Sequence, residues 1–155
     1  MKRIQHTLLA LCALAVSTLH AAPDADALEA VLEPYFAIQT ALADDDVDAA
    51  REPAGEIAEL ARAHEDLTAV AEAAKALREA EQLETARAHF HTLSQSLIPL
   101  VEQAGATEAV YVVFCPMAFG YDGGTWMQAG EEISNPYEGS RMLRCGVIQK
   151  TIAGE

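Results

Sequence analysis

Positive charge is scarce in this sequence. Ten Lys and Arg stand against 24 Asp and Glu in 155 residues, so nucleic acid and anionic membrane surfaces, which demand a basic face, are poor partners. Catalytic signatures are missing as well. There is no GxSxG or HExxH, and "GYDGG" at 120–124 lacks the lysine and spacing of a phosphate-binding loop, so no enzyme activity is expected. Cysteine is nearly absent, with Cys12, Cys115 and Cys145 the only three, and none forms the CxxC pair of thioredoxin-like enzymes. Beyond the first two dozen residues, no stretch approaches the roughly 20 apolar residues of a membrane span.

What is present begins with a leader. Lys2 and Arg3 precede an apolar run from Leu8 to Leu19, and Ala21-Ala22 before Pro23 form a small-residue cleavage region. A signal peptide over 1–22 and a periplasmic mature chain are therefore expected. Leu11 occupies the place where a lipoprotein signal wants a small residue, so Cys12 reads as a discarded leader residue. Removing 1–22 takes away two basic residues and no acidic ones, leaving 8 against 24, or −16. That acidity serves solubility, and it is compatible with a cation-binding role.

Residues 23–155 read as a single domain, mainly α. Asp24 or Asp26 can cap a helix running to about Ala43, with Leu28, Val31, Leu32, Tyr35, Phe36, Ile38 and Leu42 close to a three-or-four spacing. Asp44-Asp45-Asp46 reads as a solvated turn with a new cap; no EF-hand spacing follows it. A second helix carries Val47, Ala50, Ile57, Leu60 and Ala61 and is expected to be disturbed by Pro53 and Gly55. Leu67, Val70, Ala74 and Leu77 mark a third. A fourth runs from Leu83 to Gln103, kinked or shortened by Pro99 and closed by Gly105. No breaker separates the last two within "REAEQLETAR", so the count is three to four. Each helix has one apolar face, and an antiparallel bundle is the simplest burial.

The composition changes after Gly105. "EAVYVVFC" and "CGVIQKTI" are β-branched runs of strand length, predicting a C-terminal two-stranded β motif around an ordered glycine-rich loop. This Cys/Met motif, 109–150, holds both cysteines of the mature chain. Cys115 and Met117 stand at i, i+2 on an extended segment, and Met142 and Cys145 at i, i+3 on a turn. If the strands pair, four soft donors converge. Thiolate with thioether favours Cu(I) over calcium or magnesium, whereas zinc usually takes more Cys or His.

Spacing alone favours another outcome. Two cysteines in an exported domain most often form a structural disulfide, and closing a loop of roughly 30 residues contributes about 3 to 4 kcal/mol in the chain-entropy model. Met117, Met127 and Met142 would then fill core gaps, with Trp126 as a packing anchor. A reactive, redox-cycling disulfide is a third reading. Asn135-Pro136 favours a turn, Gly139 permits a positive φ, and Tyr137 with Trp126 can shield a soft site from water. His89 and His91 point to different faces of one helix and cannot both chelate one ion; they and His64 are expected to face solvent.

"YVVFCPMAF", "GGTW", "EISNPYEGSRML" and "CG", in that order over 111–146, resemble the exported bacterial family known as domain of unknown function 3347. Arg87, Phe90, Leu93 and Ser94 resemble its pattern on the preceding helix, and the resemblance spans roughly 26–150. Members stand alone or are fused to periplasmic adaptor subunits of heavy-metal efflux pumps. The resemblance implies heavy-metal association, copper foremost, with Cys115, Met117, Met142 and Cys145 at the motif's sulfur positions. Trp126, Asn135, Pro136, Tyr137 and Gly139 fall at its loop positions. Glu138 replaces a common aromatic residue and Met127 a common leucine. The expected function is Cu(I) binding for buffering or delivery to an efflux system or its adaptor. The alternatives are a disulfide-closed module docking such an adaptor through its acidic helices, or a thiol-disulfide redox protein.

Overall fold

The computed structural model describes residues 24–153; the expected leader and Cys12 lie outside them. Helix α1 (Ala25–Ala43) starts at Asp24, whose carboxylate accepts from the amides of Asp26 and Ala27. These would otherwise be unsatisfied helix-start donors. Of its expected stripe, Leu28, Val31, Leu32, Tyr35, Ile38 and Leu42 are buried, and Phe36 only in part. Helix α2 (Val47–Ala61) is capped by Asp46, which accepts from the Ala49 amide at 2.9 Å.

Neither Pro53 nor Gly55 interrupts α2, and Pro99 does not shorten α4 (Leu83–Ala104). Each proline forfeits one intrahelical bond, which the buried stripes on the same helices outweigh. Helix α3 (Thr68–Arg78) follows a single 3-10 turn at Glu65–Leu67 and is separate from α4. At that break the amides of Glu79 and Ala80 bond back to Lys75 and Leu77, while Leu77 and Ala80 stay buried. Burial rather than a breaker residue makes this corner. Gly105, at φ 82°, ends α4. Successive helices pack on one another and α1 returns against α4, closing the bundle.

The C-terminal part has three strands, not two. β1 (Val110–Cys115), β2 (Gly124–Gln128) and β3 (Val147–Ile152) form an antiparallel sheet in the order β2-β1-β3. β2 occupies what sequence patterning assigns to the glycine-rich loop, and it places Trp126 in a strand. Its alternation is hidden because both sides are covered: Trp126 and Met127 are each 0 % exposed. The bundle, through α1 and α4, lies against β2, and Gly146 of the returning chain comes close to the Trp126 indole. Among the described residues, no helix is long and apolar enough to cross a membrane.

Candidate functional site

The two expected strands do pair, and their register assembles the sulfur residues. Phe114 stands opposite Val147, and Cys115 faces Gly124 on the other side. Continuing the β1–β3 ladder one step sets Gly146 across from Cys115, with Cys145 beside it. Gly146 is required there: a Cβ would come within 2.9 Å of Trp126 and Val113. The Cys115 and Cys145 sulfurs lie 2.8 Å apart, as free thiols.

Both methionines join them through the backbone. Cys145 N–H donates to the Met142 carbonyl at 2.9 Å, and the Met117 backbone lies on the Cys145 sulfur's side, where it favours the thiolate. Met117 and Met142 line one small cleft of about 330 Å3 with Gly120, Tyr121, Glu138 and Arg141. Of the four sequence-predicted sulfur residues, Cys115 and Cys145 touch at one end of the sheet, while Met117 and Met142 line a neighbouring cleft that neither cysteine lines. Cys115 is fully buried, while Cys145, Met117 and Met142 are half-buried. Met127, by contrast, is a core residue. Among the described residues no three of His, Cys, Asp or Glu converge as a metal cluster, so any metal chemistry here rests on sulfur.

The Cys115 thiol hydrogen bond, then burial, and the negative charge of Cys115 and Glu138 push Cys145 up to about 11. It is thus protonated at neutral pH, and a soft metal entering the site would displace that proton. Glu138, which resemblance alone would make aromatic, is buried and held by Arg141 through Nε at 2.8 Å and through Nη2.

The loop that carries Cys145 is fixed from within and from the bundle. Asn135, 0 % exposed, donates from Nδ2 to the Cys145 carbonyl at 2.7 Å, and its Oδ1 accepts from the amides of Tyr137 and Glu138. Tyr137 donates its hydroxyl to the Thr125 carbonyl at 2.6 Å and packs edge-on against Trp126. Gln128 accepts from the Trp126 indole and donates to Gly130 and Glu132 carbonyls. The five predicted loop residues, Trp126, Asn135, Pro136, Tyr137 and Gly139, are all buried scaffold.

Sequence reasoning missed the anchor on the other side. Asp45 lies on the expected exposed turn, and it is an anchor as well. Arg87 of α4 donates from Nη2 to Asp45 and the Leu42 carbonyl and from Nε to the Pro136 carbonyl, tying the α1–α2 corner to the loop. Ser140 donates its amide and hydroxyl to the same carboxylate. Asp45 sits at φ 62°, which aspartate tolerates better than most residues; no composition signal separates it from Asp44 and Asp46. Arg87 and Ser94, members of the helical pattern, thus have visible roles: Ser94 bonds to the Tyr35 hydroxyl at 2.7 Å, and that hydroxyl accepts from the Met127 amide.

The segment between Cys115 and β2 is bent sharply. Phe119, Gly120 and Tyr121 have φ of 53°, 70° and 79°, and each of the two non-glycine residues there costs about 1–3 kcal/mol. Phe119 recovers contact by stacking on His91 at 4.8 Å and packing at a tilt on Tyr137 at 4.9 Å. His91 is consequently half-buried rather than solvent-facing, and burial holds its pKa below the ordinary histidine range.

Hydrogen bonds from Ser140, then Arg87, hold the Asp45 carboxyl below its ordinary value. A depressed carboxyl contributes stability in full above the unfolded value of about 3.9, lost as pH falls through the folded one. Asp45→Asn keeps the left-handed tolerance and removes the charge. Urea unfolding is expected to show the variant less stable at about pH 7, with the gap to wild type narrowing below about pH 4. A pH-independent gap would assign Asp45 a steric role only.

The family model described as a protein of unknown function, DUF3347, matches residues 31–109. The match covers nearly all of the four helices and ends just before β1, so the sulfur residues lie beyond it. No curated protein and no solved structure matches the chain.

Proposed function

This chain belongs to the DUF3347 family of proteins of unknown function, and we propose that it is an exported, periplasmic Cu(I)-binding protein that buffers the ion or hands it to an efflux system. The observation that carries the reading is the contact of Cys115 with Cys145 at one sheet end, with Met117 and Met142 lining the neighbouring cleft. The leader-like residues 1–22 support export.

The donor set fits a soft monovalent ion. Two thiols and two thioethers without a carboxylate or imidazole cluster disfavour calcium, magnesium and zinc. A thiolate–metal bond measures about 2.3 Å for zinc, so two thiolates on one ion stand farther apart than the present 2.8 Å. Cys115 is fixed in the β1–β2 ladder and Cys145 lies outside any strand. Cys145 is therefore the ligand that moves. A half-buried, partly thioether site leaves coordination open to ligand exchange with a receiving protein.

Titrating the reduced mature protein with Cu(I) against a chromophoric competitor, with thiols counted, tests this. One equivalent bound only by the dithiol form is expected. Met142→Leu, nearly isosteric, is expected to weaken binding about tenfold, equivalent to about 1.4 kcal/mol, with little change in stability. Unaltered affinity would remove Met142 from the site.

One observation favours a second reading. Thiols in contact at 2.8 Å are placed for a disulfide, and a permanent bridge would make the sulfur end a staple, leaving function to the acidic helical surface. Protein isolated fully oxidised, resistant to mild reduction and indifferent to Cu(I) would establish that reading instead.

A further inference from the structure

Cys115 and Cys145 differ in what can reach them. Cys115 is 0 % exposed, at the end of a central strand. Cys145 is half-buried, on the irregular stretch between the Gly139–Arg141 turn and β3. Its amide bonds to the Met142 carbonyl, and Met142 with Met117 lines a neighbouring cleft. An incoming reagent meets Cys145 first, and Cys115 is already in contact behind it at 2.8 Å.

We propose that this pair is a redox gate on the copper site: in the reduced state the two cysteines hold Cu(I) as thiolates, and a small-molecule disulfide, received by Cys145 and resolved by Cys115, joins them and expels the ion. The proposal rests on the Cu(I) reading above. In the first step the Cys145 sulfur, its proton already displaced by the metal, attacks one sulfur of the incoming disulfide, whose S–S bond breaks, and the first leaving thiolate takes a proton from water. In the second the Cys115 sulfur attacks Cys145 in that mixed disulfide and expels the second thiolate, which is likewise protonated from water. Two electrons pass from the cysteine pair to the incoming disulfide. Copper leaves as Cu(I), unchanged in oxidation state, to a competing soft ligand, because the thioethers of Met117 and Met142 remain without any thiolate.

The placement suits a gate. The ladder fixes Cys115, while Cys145 stands outside it, so one side chain exchanges between a copper position and a sulfur position. Asn135 holds the Cys145 carbonyl at 2.7 Å, so the exchange needs no unfolding of the loop.

The experiment uses the reduced mature protein loaded with Cu(I), treated with oxidised glutathione in the presence of a chromophoric Cu(I) chelator, and followed by absorbance and intact mass. Copper release is expected to coincide with loss of two hydrogens from the protein mass, and reduction is expected to restore binding. In the apo state, Cys115→Ser is expected to stop at a glutathione adduct on Cys145. Cys145→Ser is expected to stay unmodified, since Cys115 is out of reach. Bridged protein that still binds Cu(I), a glutathione adduct that never resolves in wild type, or modification of Cys115 first would each overturn the gate. Reduced protein that binds no Cu(I) at the outset would overturn the copper reading itself, and is distinguished from the others by the loading step.

Discussion

Replacing Gly139 with alanine is expected to destabilise the protein by about 2–4 kcal/mol, from the left-handed backbone together with displaced hydrogen bonds of a partly exposed ion pair. Gly139 lies at φ 55°, and a Cβ there would stand 1.9 Å from Asp45 Oδ1 and 2.3 Å from Arg87 Nη2. Neither atom can retreat cheaply. Asp45 also accepts from Ser140, and Arg87, with a side chain only 11 % exposed, holds the Leu42 and Pro136 carbonyls as well. The left-handed backbone alone costs a non-glycine residue about 1–2 kcal/mol. Gly130→Ala is the control, with nothing within 4 Å of its added Cβ, and is expected to stay within about 0.5 kcal/mol. Urea unfolding of both variants checks the contrast. A Gly139→Ala cost confined to the conformational part would mean that the Asp45–Arg87 clamp yields without loss.

The clamp also explains why the helical part of the fold was easier to read than the site. Apolar spacing locates α1, α2 and α4 because one face of each is buried, and Asp24 and Asp46 serve as caps where their positions suggest. The α3–α4 corner is silent because burial of Leu77 and Ala80 makes it, with no turn residue between them. β2 is silent for a related reason: with cover on both faces, Thr125-Trp126-Met127-Gln128 has no polar side to alternate with. At the site, pairing of β1 with β3 follows from two β-branched runs, and with it the meeting of Cys115 and Cys145. Asp45 and Arg87 act across 42 residues, and such a contact leaves no local pattern. His91 on Phe119 is of the same kind. Its neighbour is set by three consecutive left-handed residues, of which only Gly120 announces itself.

Cys115→Ser is expected to abolish Cu(I) binding, a larger loss than the roughly 10–100-fold that follows removal of a supporting group from a metal site. Serine nearly matches the cysteine in size but offers a hard oxygen where the ion prefers sulfur. The backbone cannot compensate, since Cys115 pairs with Gly124 and is 0 % exposed. Folding of the reduced variant should survive, because the new hydroxyl retains Cys145 as a neighbour and a polar group with a partner is cheap to bury compared with an orphan. The two readings of the sulfur end then separate on one variant. If the cysteines bind copper as thiolates, reduced Cys115→Ser keeps its urea midpoint and loses the ion. If they form only a staple, the ion matters to neither protein, and oxidised wild type exceeds the variant by about 3–4 kcal/mol, the stabilisation expected of a loop this long. A variant that keeps both its copper affinity and the oxidised stability of wild type would contradict both, leaving no role for the contact between Cys115 and Cys145 in either chemistry.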